Sequence, residues 1–316
     1  MSLVHVLYEN SAWLPPLARA LDARGLPWVA HFAAEGAFEV EADPAPGVWL
    51  NRMSPSAHTR GHAGGIHYVR EWLGVLEERG SPVINGAHAF ALEVSKVRQH
   101  AALRAAGILT PRTIAVIGRD RLLEASRSFE APFLTKHNQG GKGLGVQLFR
   151  SHDAFDAWVK SDTELPMDGV TLLQQYIEPP SGAITRVEIV DGRFLFAMRS
   201  ATDGGFELCP ADSCQVGDAF CPTSGSSRFA VEDIGADDPL VIAYLRFCEA
   251  HRIDVAGIEY VTGADGRRYT YDINMNTNYN SQVEREAGVD GMGAIAELCA
   301  RRLGLAANEV EGFGAA

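Results

Sequence analysis

The sequence predicts an α/β fold: an open, mostly parallel sheet comes first, and an α+β region built on hairpins follows. Near the start, short apolar strands alternate with a helix: Leu3–Tyr8 is a strand, a helix begins at Pro15 or Pro16, and Pro27–Phe32 is a second strand. Further along, paired strands replace this alternation. Two of the pairs turn at Asp191-Gly192 and Asp265-Gly266, and such dipeptides favour tight hairpins.

The first ninety residues contain two more strands and a longer helix. Val48–Leu50 is typical of a short strand, Ile66–Arg79 of a helix, and Pro82–Ile84 of another strand. Ligands in such sheets collect at the carboxyl ends of the strands. We expect a domain boundary near Phe90–Val94, which gives an N-terminal domain over residues 1–92.

The rest of the chain mixes hairpins with single helices. A helix over Ser95–Ala106 stops at Gly107. The hairpins pair Phe133–Lys136 with Val146–Phe149, Ile184–Val190 with Arg193–Arg199, and Gly257–Thr262 with Arg268–Ile273. Helices are expected over Ala154–Lys160, Pro239–Ala250 and Gly291–Arg302.

The composition excludes several classes of protein. The 316 residues are 46% hydrophobic and 22% charged, as in an ordinary globular protein. A net charge of -12 argues against a nucleic acid partner, and no stretch is apolar enough for a membrane helix or resembles a signal peptide. The five cysteines predict reduced thiols in a cytoplasmic protein, and Cys209, Cys214 and Cys221 lack the second pair of a zinc site.

A glycine-rich segment, Asn138–Gly145, connects the strands of the first hairpin. Its spacing matches neither a Walker A loop nor a dinucleotide fingerprint. The glycines leave backbone N–H groups accessible to an anion, and Lys136 and Lys142 flank them. A mobile surface hairpin is an equally good interpretation of this segment taken alone.

Two carboxylates oppose each other on the last hairpin. Counting outward from the Asp265-Gly266 turn places Glu259 directly opposite Asp272, with Asn274 on the same face. Opposed like charges are destabilising, and a divalent cation would offset their repulsion. Two carboxylates and an amide oxygen suit Mg²⁺. A register slip, or two solvated acids, is the alternative.

Two arginines are expected to lie side by side on the middle hairpin. The same counting pairs Arg186 with Ala197, so Arg199 is diagonal to Arg186 on one face. Two adjacent guanidinium groups suggest a site for a carboxylate or a phosphate. A surface face paired with acids such as Glu188 is equally consistent with the sequence.

A polar loop follows the strand at Val48–Leu50. It begins at Asn51 and contains Arg52, His58 and Arg60, which could bind an acidic substrate at the carboxyl end of that strand. A solvated loop is the alternative. The histidines do not have a convincing metal-site spacing.

Taken in order, these segments resemble the ATP-grasp superfamily, and most closely its RimK-like α-L-glutamate ligases. Glutathione synthetase and D-alanine–D-alanine ligase are similar at a greater distance. The resemblance covers roughly Ile84–Asn280, and residues 1–92 match the family's preceding domain only in pattern. Its motifs are Ser95-Lys96 with Ala105–Ile108, Phe133–Lys136 before the glycine-rich segment, Leu173–Ile177, and Gly257–Glu259 with Asp272–Asn274.

The resemblance implies that two subdomains, 93–176 and 177–316, grip ATP between them. Phosphate contacts would come from Lys96, Lys136 and the closing loop, namely Gln139, Gly140, Gly141, Lys142, Gly143 and Gly145. Adenine would be held by Gln174, Gln175, Tyr176 and Ile177. Glu259, Asp272 and Asn274 would hold two Mg²⁺ ions, with Mn²⁺ as a substitute, and Arg186 with Arg199 would steady an acyl-phosphate.

The implied activity is ATP-dependent carboxylate–amine ligation. The γ-phosphoryl group passes to a carboxylate of an amino acid, peptide or protein, and an amine such as glutamate then forms the amide. Homodimers and homotetramers are common in the family. Ile184 replaces a family acid, and Phe206–Asp212 replaces an asparagine-bearing segment. The alternatives are a nucleotide-binding module without turnover and a ligase that resembles D-alanine ligase or glutathione synthetase.

Overall fold

The computed structural model describes residues 2–141, 143, 145–161, 166–202 and 229–304. These residues form a four-stranded parallel sheet and two antiparallel sheets of four and five strands. Lys142, the segment Phe206–Asp212 and the cysteines Cys209, Cys214 and Cys221 lie outside the described residues. Within the described part of the chain, no helix is long and apolar enough to cross a membrane.

The first sheet confirms the predicted open parallel arrangement. Its strands are β1 (Leu3–Tyr8), β2 (Trp28–Phe32), β3 (Gly47–Arg52) and β4 (Val83–Ile84), in the order β2-β1-β3-β4. Helices α1 (Leu14–Ala23) and α2 (Ala63–Glu78) cover its two faces. Alternation decides which face each side chain takes: Val4 packs with Leu17 of α1, whereas Leu7 packs with Val69 of α2.

The predicted boundary at Phe90–Val94 coincides with a buried helix, α3 (Ala87–Glu93), rather than with a linker. Phe90 packs in the core of the first sheet, whereas Leu92 packs in the core of the five-stranded sheet. One short helix therefore contributes to two cores.

The four-stranded antiparallel sheet follows. It contains β5 (Thr113–Ile117), β6 (Phe133–His137), β7 (Gln147–Phe149) and β8 (Val170–Gln175), in the order β5-β8-β6-β7. Helices α5 (Arg119–Ser126) and α6 (His152–Lys160) pack against it, whereas α4 (Lys96–Ala105) packs in the core of the five-stranded sheet. An aromatic core, which includes Phe133, Phe149 and Phe155, joins the sheet to α6. The predicted β6–β7 register, Phe133 opposite Phe149, is confirmed.

The five-stranded sheet is antiparallel, in the order β11-β10-β9-β12-β13. Its strands are β9 (Ala183–Val190), β10 (Arg193–Ala201), β11 (Phe229–Val231), β12 (Val255–Thr262) and β13 (Arg268–Asn274). The remaining helices are α7 (Pro239–Ala250), α8 (Ser281–Ala287) and α9 (Gly291–Arg302). Every residue of β9 is buried, because α7 packs against one face of the sheet and α9 against the other.

Asn85, which follows β4, ties the first sheet to the five-stranded sheet. Its φ of 51° lies in the left-handed region, which asparagine tolerates better than most residues. Its Oδ1 accepts from the backbone N–H groups of Asp254 (2.8 Å) and Val255 (3.1 Å), and its Nδ2 donates to the carbonyl of Met275 (3.0 Å). The carboxyl end of the first sheet is thereby held beside the end of β13.

Candidate active site

A large cleft lies where the three sheets meet. Its empty volume, including the part open to solvent, is about 1310 Å³. The predicted residues that line it are Lys96, Lys136, Gly140, Gly141, Gly143, Gln174, Gln175, Tyr176, Ile177, Arg186, Glu259, Asp272 and Asn274. Trp13 also lines it, from the segment that follows β1. Residues predicted from separate motifs therefore share one cavity.

The opposed carboxylates are paired as predicted, although the register is irregular. Near the turn, Thr262 opposes Arg268, one position away from the simple count. A shift between Glu259 and Tyr260 then restores Glu259 opposite Asp272, with one extra residue on β13. Asn274 lies beyond them, and its Nδ2 is 3.5 Å from an oxygen of each carboxylate.

These three side chains suit a divalent cation. Burial, and after it the charge of Asp272, raise the pKa of Glu259, and a divalent cation would reduce the repulsion between the two carboxylates. Rotating the Asn274 side-chain amide by half a turn would exchange its nitrogen and oxygen. The oxygen would then lie beside both carboxylates, where it could share a cation with them. No cluster of three or more His, Cys, Asp or Glu side chains suited to a metal occurs among the described residues, so any ion here would also need water or phosphate oxygens.

Lys96 begins α4 and points at the carboxylates. Its ammonium group donates to Asp272 Oδ1. Burial alone would raise the pKa of Asp272, but the ammonium groups of Lys96 and Lys136 outweigh burial and lower it. The docking of α4 depends on Gln99, which accepts from the backbone N–H of Ile273 (3.1 Å) and donates to the carbonyl of Ile273 (2.9 Å).

Lys136 on β6 is a buried cation. Only 8% of its surface is exposed, and no ion pair or hydrogen bond of its side chain is found within the described residues. Its ammonium lies 4.5 Å from the centre of the Tyr271 ring. Burial, together with the charge of Lys96, lowers the pKa of Lys136 to about 8. An anion that entered the cleft would stabilise this charge.

The glycine-rich segment is fixed at its base and reaches the first sheet at its tip. Asn138 Oδ1 accepts from the Ser95 hydroxyl (3.2 Å) and the Val97 N–H (3.0 Å), at the start of α4. A Cβ on Gly141 would lie 3.4 Å from Ser56 Cβ, and one on Gly145, where φ is +77°, would lie 2.8 Å from the ring of His137. Glycine is therefore required at position 145, whereas the approach of Gly141 to Ser56 is an ordinary van der Waals contact.

The residues predicted to hold adenine are the last two residues of β8 and the two that follow them. Gln174 Nε2 donates to Thr113 Oγ1 (2.9 Å), and Gln175 Oε1 accepts from the backbone N–H of Arg112 (3.3 Å). Both glutamine side chains are thus bonded to the protein, Gln174 in the interior and Gln175 at an exposed position. Ile177 packs with Ile184 and other apolar side chains of the five-stranded sheet, and together they form an apolar wall.

Arg186 on β9 is buried between two carboxylates. Its Nε lies 2.5 Å from Glu188 Oε1, and its Nη1 lies 3.3 Å from Glu259 Oε1. Burial alone would lower the pKa of Arg186, but these two carboxylates raise it. A Cβ on residue 257 would lie 2.2 Å from Arg186 Nη2, so Gly257 leaves the space that the guanidinium occupies.

Arg199 is not beside Arg186, and the prediction that it would be is wrong. A register shift between Phe194 and Phe196 places Met198 opposite Arg186. Arg199 consequently projects from the other face of the sheet, because successive side chains on a strand alternate. It is exposed, and its Nη2 donates to the carbonyl of Ser181 (3.3 Å).

The polar side chains after β3 do not line the cleft either. Arg52, the last residue of β3, is buried, and its Nη1 donates to the carbonyl of Thr277 (2.8 Å). Arg60 forms two hydrogen bonds with the buried carboxylate of Glu9, at 2.8 Å and 2.6 Å. Asn51 and His58 bond to backbone groups. The expectation that these four residues bind an acidic substrate is corrected, because they connect parts of the protein to one another.

Sequence reasoning missed three residues near the predicted metal ligands. Asn276 and Asn278 continue the line of Asn274 and line the cleft. Glu93, at the end of α3, accepts a hydrogen bond from the backbone N–H of Met275 (2.5 Å), and burial raises its pKa to about 7. The signal was present: polar residues occupy every second position from 272 to 280, which is the pattern of one extended face.

Comparison with known proteins agrees with this geometry. Residues 94–215 match the model of the RimK-like ATP-grasp domain. This segment of the chain is therefore similar to a RimK-like ATP-grasp domain. A probable alpha-L-glutamate ligase from Teredinibacter turnerae is 30% identical over 144 residues, which are 45% of this chain and 46% of that relative. The match thus spans less than half of the relative's length.

Solved structures show that the ATP-grasp fold extends over nearly the whole chain. A RimK domain ATP-grasp protein from Sphaerobacter thermophilus has a TM-score of 0.68 at 20% identity and covers 94% of this chain and 98% of its own. The ATP-grasp ligase PsnB, complexed with a minimal precursor, has a TM-score of 0.67 at 17% identity. The match covers 95% of this chain and 99% of PsnB. D-alanyl-alanine synthetase A from Vibrio cholerae has a TM-score of 0.66 at 12% identity. The match covers 96% of this chain and 98% of the synthetase.

Proposed function

We propose that this RimK-like ATP-grasp protein is an ATP-dependent carboxylate–amine ligase that forms an amide through an acyl-phosphate. The observation that carries the proposal is the unpaired, buried ammonium group of Lys136, which shares a cleft with Glu259, Asp272 and Asn274. A lone cation beside a set of oxygen ligands fits a substrate that brings both negative phosphates and a divalent cation.

The cleft offers a separate environment to each part of ATP. Lys136, Lys96 and the glycine-rich segment would bind the phosphates, since backbone N–H groups and ammonium groups converge there. Adenine would lie against the apolar wall at Ile177. It would be recognised by backbone groups of residues 174–177, because the side chains of Gln174 and Gln175 are already bonded.

Glu259, Asp272 and Asn274 would hold Mg²⁺, as one or two ions, with Mn²⁺ as a substitute. The metal would neutralise charge on the phosphates during phosphoryl transfer. One of the solved PsnB complexes contains Mg and ADP. For this chain, the donor set and the raised pKa of Glu259 support the assignment.

The ligation requires no covalent nucleophile from the protein. A substrate carboxylate oxygen attacks the γ-phosphorus, the bond to the bridging oxygen breaks and ADP leaves. The amine then attacks the acyl carbon and displaces phosphate. Arg186 is placed to stabilise the negative charge that develops, because its guanidinium borders the cleft beside Glu259. The carboxylate would belong to an amino acid, a peptide or a protein, with glutamate a candidate amine.

The test is release of phosphate from ATP and Mg²⁺ in the presence of pooled amino acids and dipeptides, with hydroxylamine present to trap an acyl-phosphate. We expect release that depends on one pool and is accompanied by a hydroxamate. Lys136→Met should lose this activity, whereas Lys160→Met, which alters an exposed lysine at the end of α6, should retain it. ATP binding without phosphate release in any pool would instead indicate a protein substrate or a nucleotide-binding module without turnover.

A further inference from the structure

A row of three asparagines extends the metal site toward the first sheet. Asn274, Asn276 and Asn278 follow one another at every second position, and all three line the cleft. Trp13 borders the same cavity from the segment after β1. These lining residues contribute neutral polar groups and an aromatic ring to the cleft.

The Asn276 amide is held in one orientation by its contacts. Its Nδ2 donates to the carbonyl of Arg52 (2.7 Å), so the opposite orientation would bring two oxygens together. Its Oδ1 is shielded from solvent and has no hydrogen-bond partner within the described residues. A buried acceptor without a donor is unfavourable, so the site favours a ligand that carries N–H groups.

The cations near this row are already engaged. Arg52 Nη2 donates to Asn278 Oδ1 (3.1 Å), and its Nη1 bonds to the carbonyl of Thr277. Arg60 is paired with Glu9. Farther along the cleft, Arg186 is paired with Glu188 and Glu259. Among the described residues that line the cleft, the lysine and arginine cations are Lys96, Lys136 and Arg186, and only Lys136 lacks an acid partner.

We propose that Asn276 and Asn278, with Trp13, form the subsite of the attacking amine, and that this subsite favours an amine without a free carboxylate beside it. The inference rests on the proposed ligase function and deepens it by naming the class of amine. Asn276 Oδ1 accepts from the amine N–H and directs the nitrogen lone pair toward the acyl carbon. As the C–N bond forms, the C–O bond to phosphate breaks, and the amine proton leaves with the phosphate.

The experiment compares two probes that share an amine but differ in charge, glycinamide and glycine. Each is titrated into the full-length protein saturated with Mg²⁺ and AMP-PNP, and binding is measured by calorimetry. We expect glycinamide to bind about tenfold more tightly than glycine, which is the effect of one or two hydrogen bonds that are not opposed by an unpaired carboxylate.

Variants test whether the asparagines cause this preference. Asn276→Leu should weaken glycinamide binding about tenfold while leaving the affinity for AMP-PNP and Mg²⁺ unchanged. Asn278→Asp keeps an acceptor for Arg52, adds a negative charge, and should strengthen glycinamide binding. Gln282→Asp adds the same charge at an exposed position on α8 and should change neither affinity. Thermal melting of each variant checks folding.

Several outcomes would overturn the subsite. Tighter binding of glycine than of glycinamide would show that the site takes a carboxylate. A loss of Mg²⁺ affinity in Asn276→Leu, with glycinamide binding intact, would make Asn276 part of the metal site instead. AMP-PNP binding without glycinamide binding would contradict the amine subsite but not the proposed function. Failure to bind AMP-PNP would contradict both the subsite and the proposed function.

Discussion

Lys96 and Asp272 contact each other directly: the ammonium group that begins α4 donates to a carboxylate oxygen at the end of β13. Sequence reasoning assigned one residue to the phosphates and the other to the metal. If both assignments are right, ligand binding breaks this contact, and each side chain then binds a part of the ligand. A divalent cation at Asp272 would release the Lys96 ammonium for a phosphate oxygen.

Asp272→Asn should therefore affect the metal and the nucleotide together. We expect turnover to fall by at least about 100-fold, because a ligand that neutralises phosphate charge contributes several kcal/mol to the transition state. The Mg²⁺ concentration needed for half-maximal ATP binding should also rise. Asp233→Asn, at an exposed position, is the matched control. Unchanged Mg²⁺ dependence in Asp272→Asn would contradict the metal assignment.

The affinity for ATP should fall as pH rises through about 8, because the pKa of Lys136 is lowered to about 8 and only its protonated form attracts phosphate. The stability of the folded protein should depend on pH with the opposite sign. Between pH 8 and the ordinary lysine pKa of 10.5, the unfolded chain binds more protons than the folded one. The free energy of unfolding contributed by Lys136 should thus increase with pH in this window.

Lys136→Met separates these two effects and tests them. Without ATP, the variant should melt at a higher temperature than the wild type near pH 7, since a buried uncompensated charge is removed. Its ATP affinity should be about tenfold or more lower and should lose the dependence on pH near 8. Calorimetric titrations at several pH values give the measurement. A pH dependence that persists in Lys136→Met would exclude this lysine as its source.

Gly257→Ala should displace the guanidinium of Arg186, because the new Cβ would lie 2.2 Å from Nη2. We expect a loss of about 1–3 kcal/mol in the free energy of unfolding, as for other overpacked interiors, together with a lower turnover number. Gly74→Ala in α2 is the control: no atom lies within 4 Å of its Cβ, and alanine is the better helix former. Denaturant unfolding of both variants would show the contrast.

Arg199→Ala should leave catalysis nearly unchanged, because the register of β10 places this side chain on the face opposite Arg186. The free energy of unfolding should change by less than about 0.5 kcal/mol, as is usual for exposed positions. Arg186→Ala, measured alongside, should lose most activity. A comparable loss in both variants would restore the predicted arginine pair and contradict the observed register.

Irregular strand pairing explains why one prediction from counting was confirmed and another was wrong. On the last hairpin, the shift at Tyr260 comes before the carboxylates and places Glu259 opposite Asp272. On the middle hairpin, the shift between Phe194 and Phe196 moves every later residue by one position, including Arg199. A bulge exchanges the two faces of a strand, and its position depends on packing that the local sequence does not reveal.

The sequence by itself determined the local elements and the order of the motifs. Proline and glycine stops, alternating apolar residues and Asp-Gly turns depend on backbone preferences that act within a few residues, so α7 and α9 have the predicted bounds. The tertiary structure alone decided which charges face a ligand. Arg52 and Lys136 both lie at or near the end of a strand, yet Arg52 donates to Thr277 and Asn278, whereas Lys136 forms no ion pair within the described part of the chain. The physical reason is that burial and ion pairing join residues far apart in the chain, and they exist only once the three sheets have packed together.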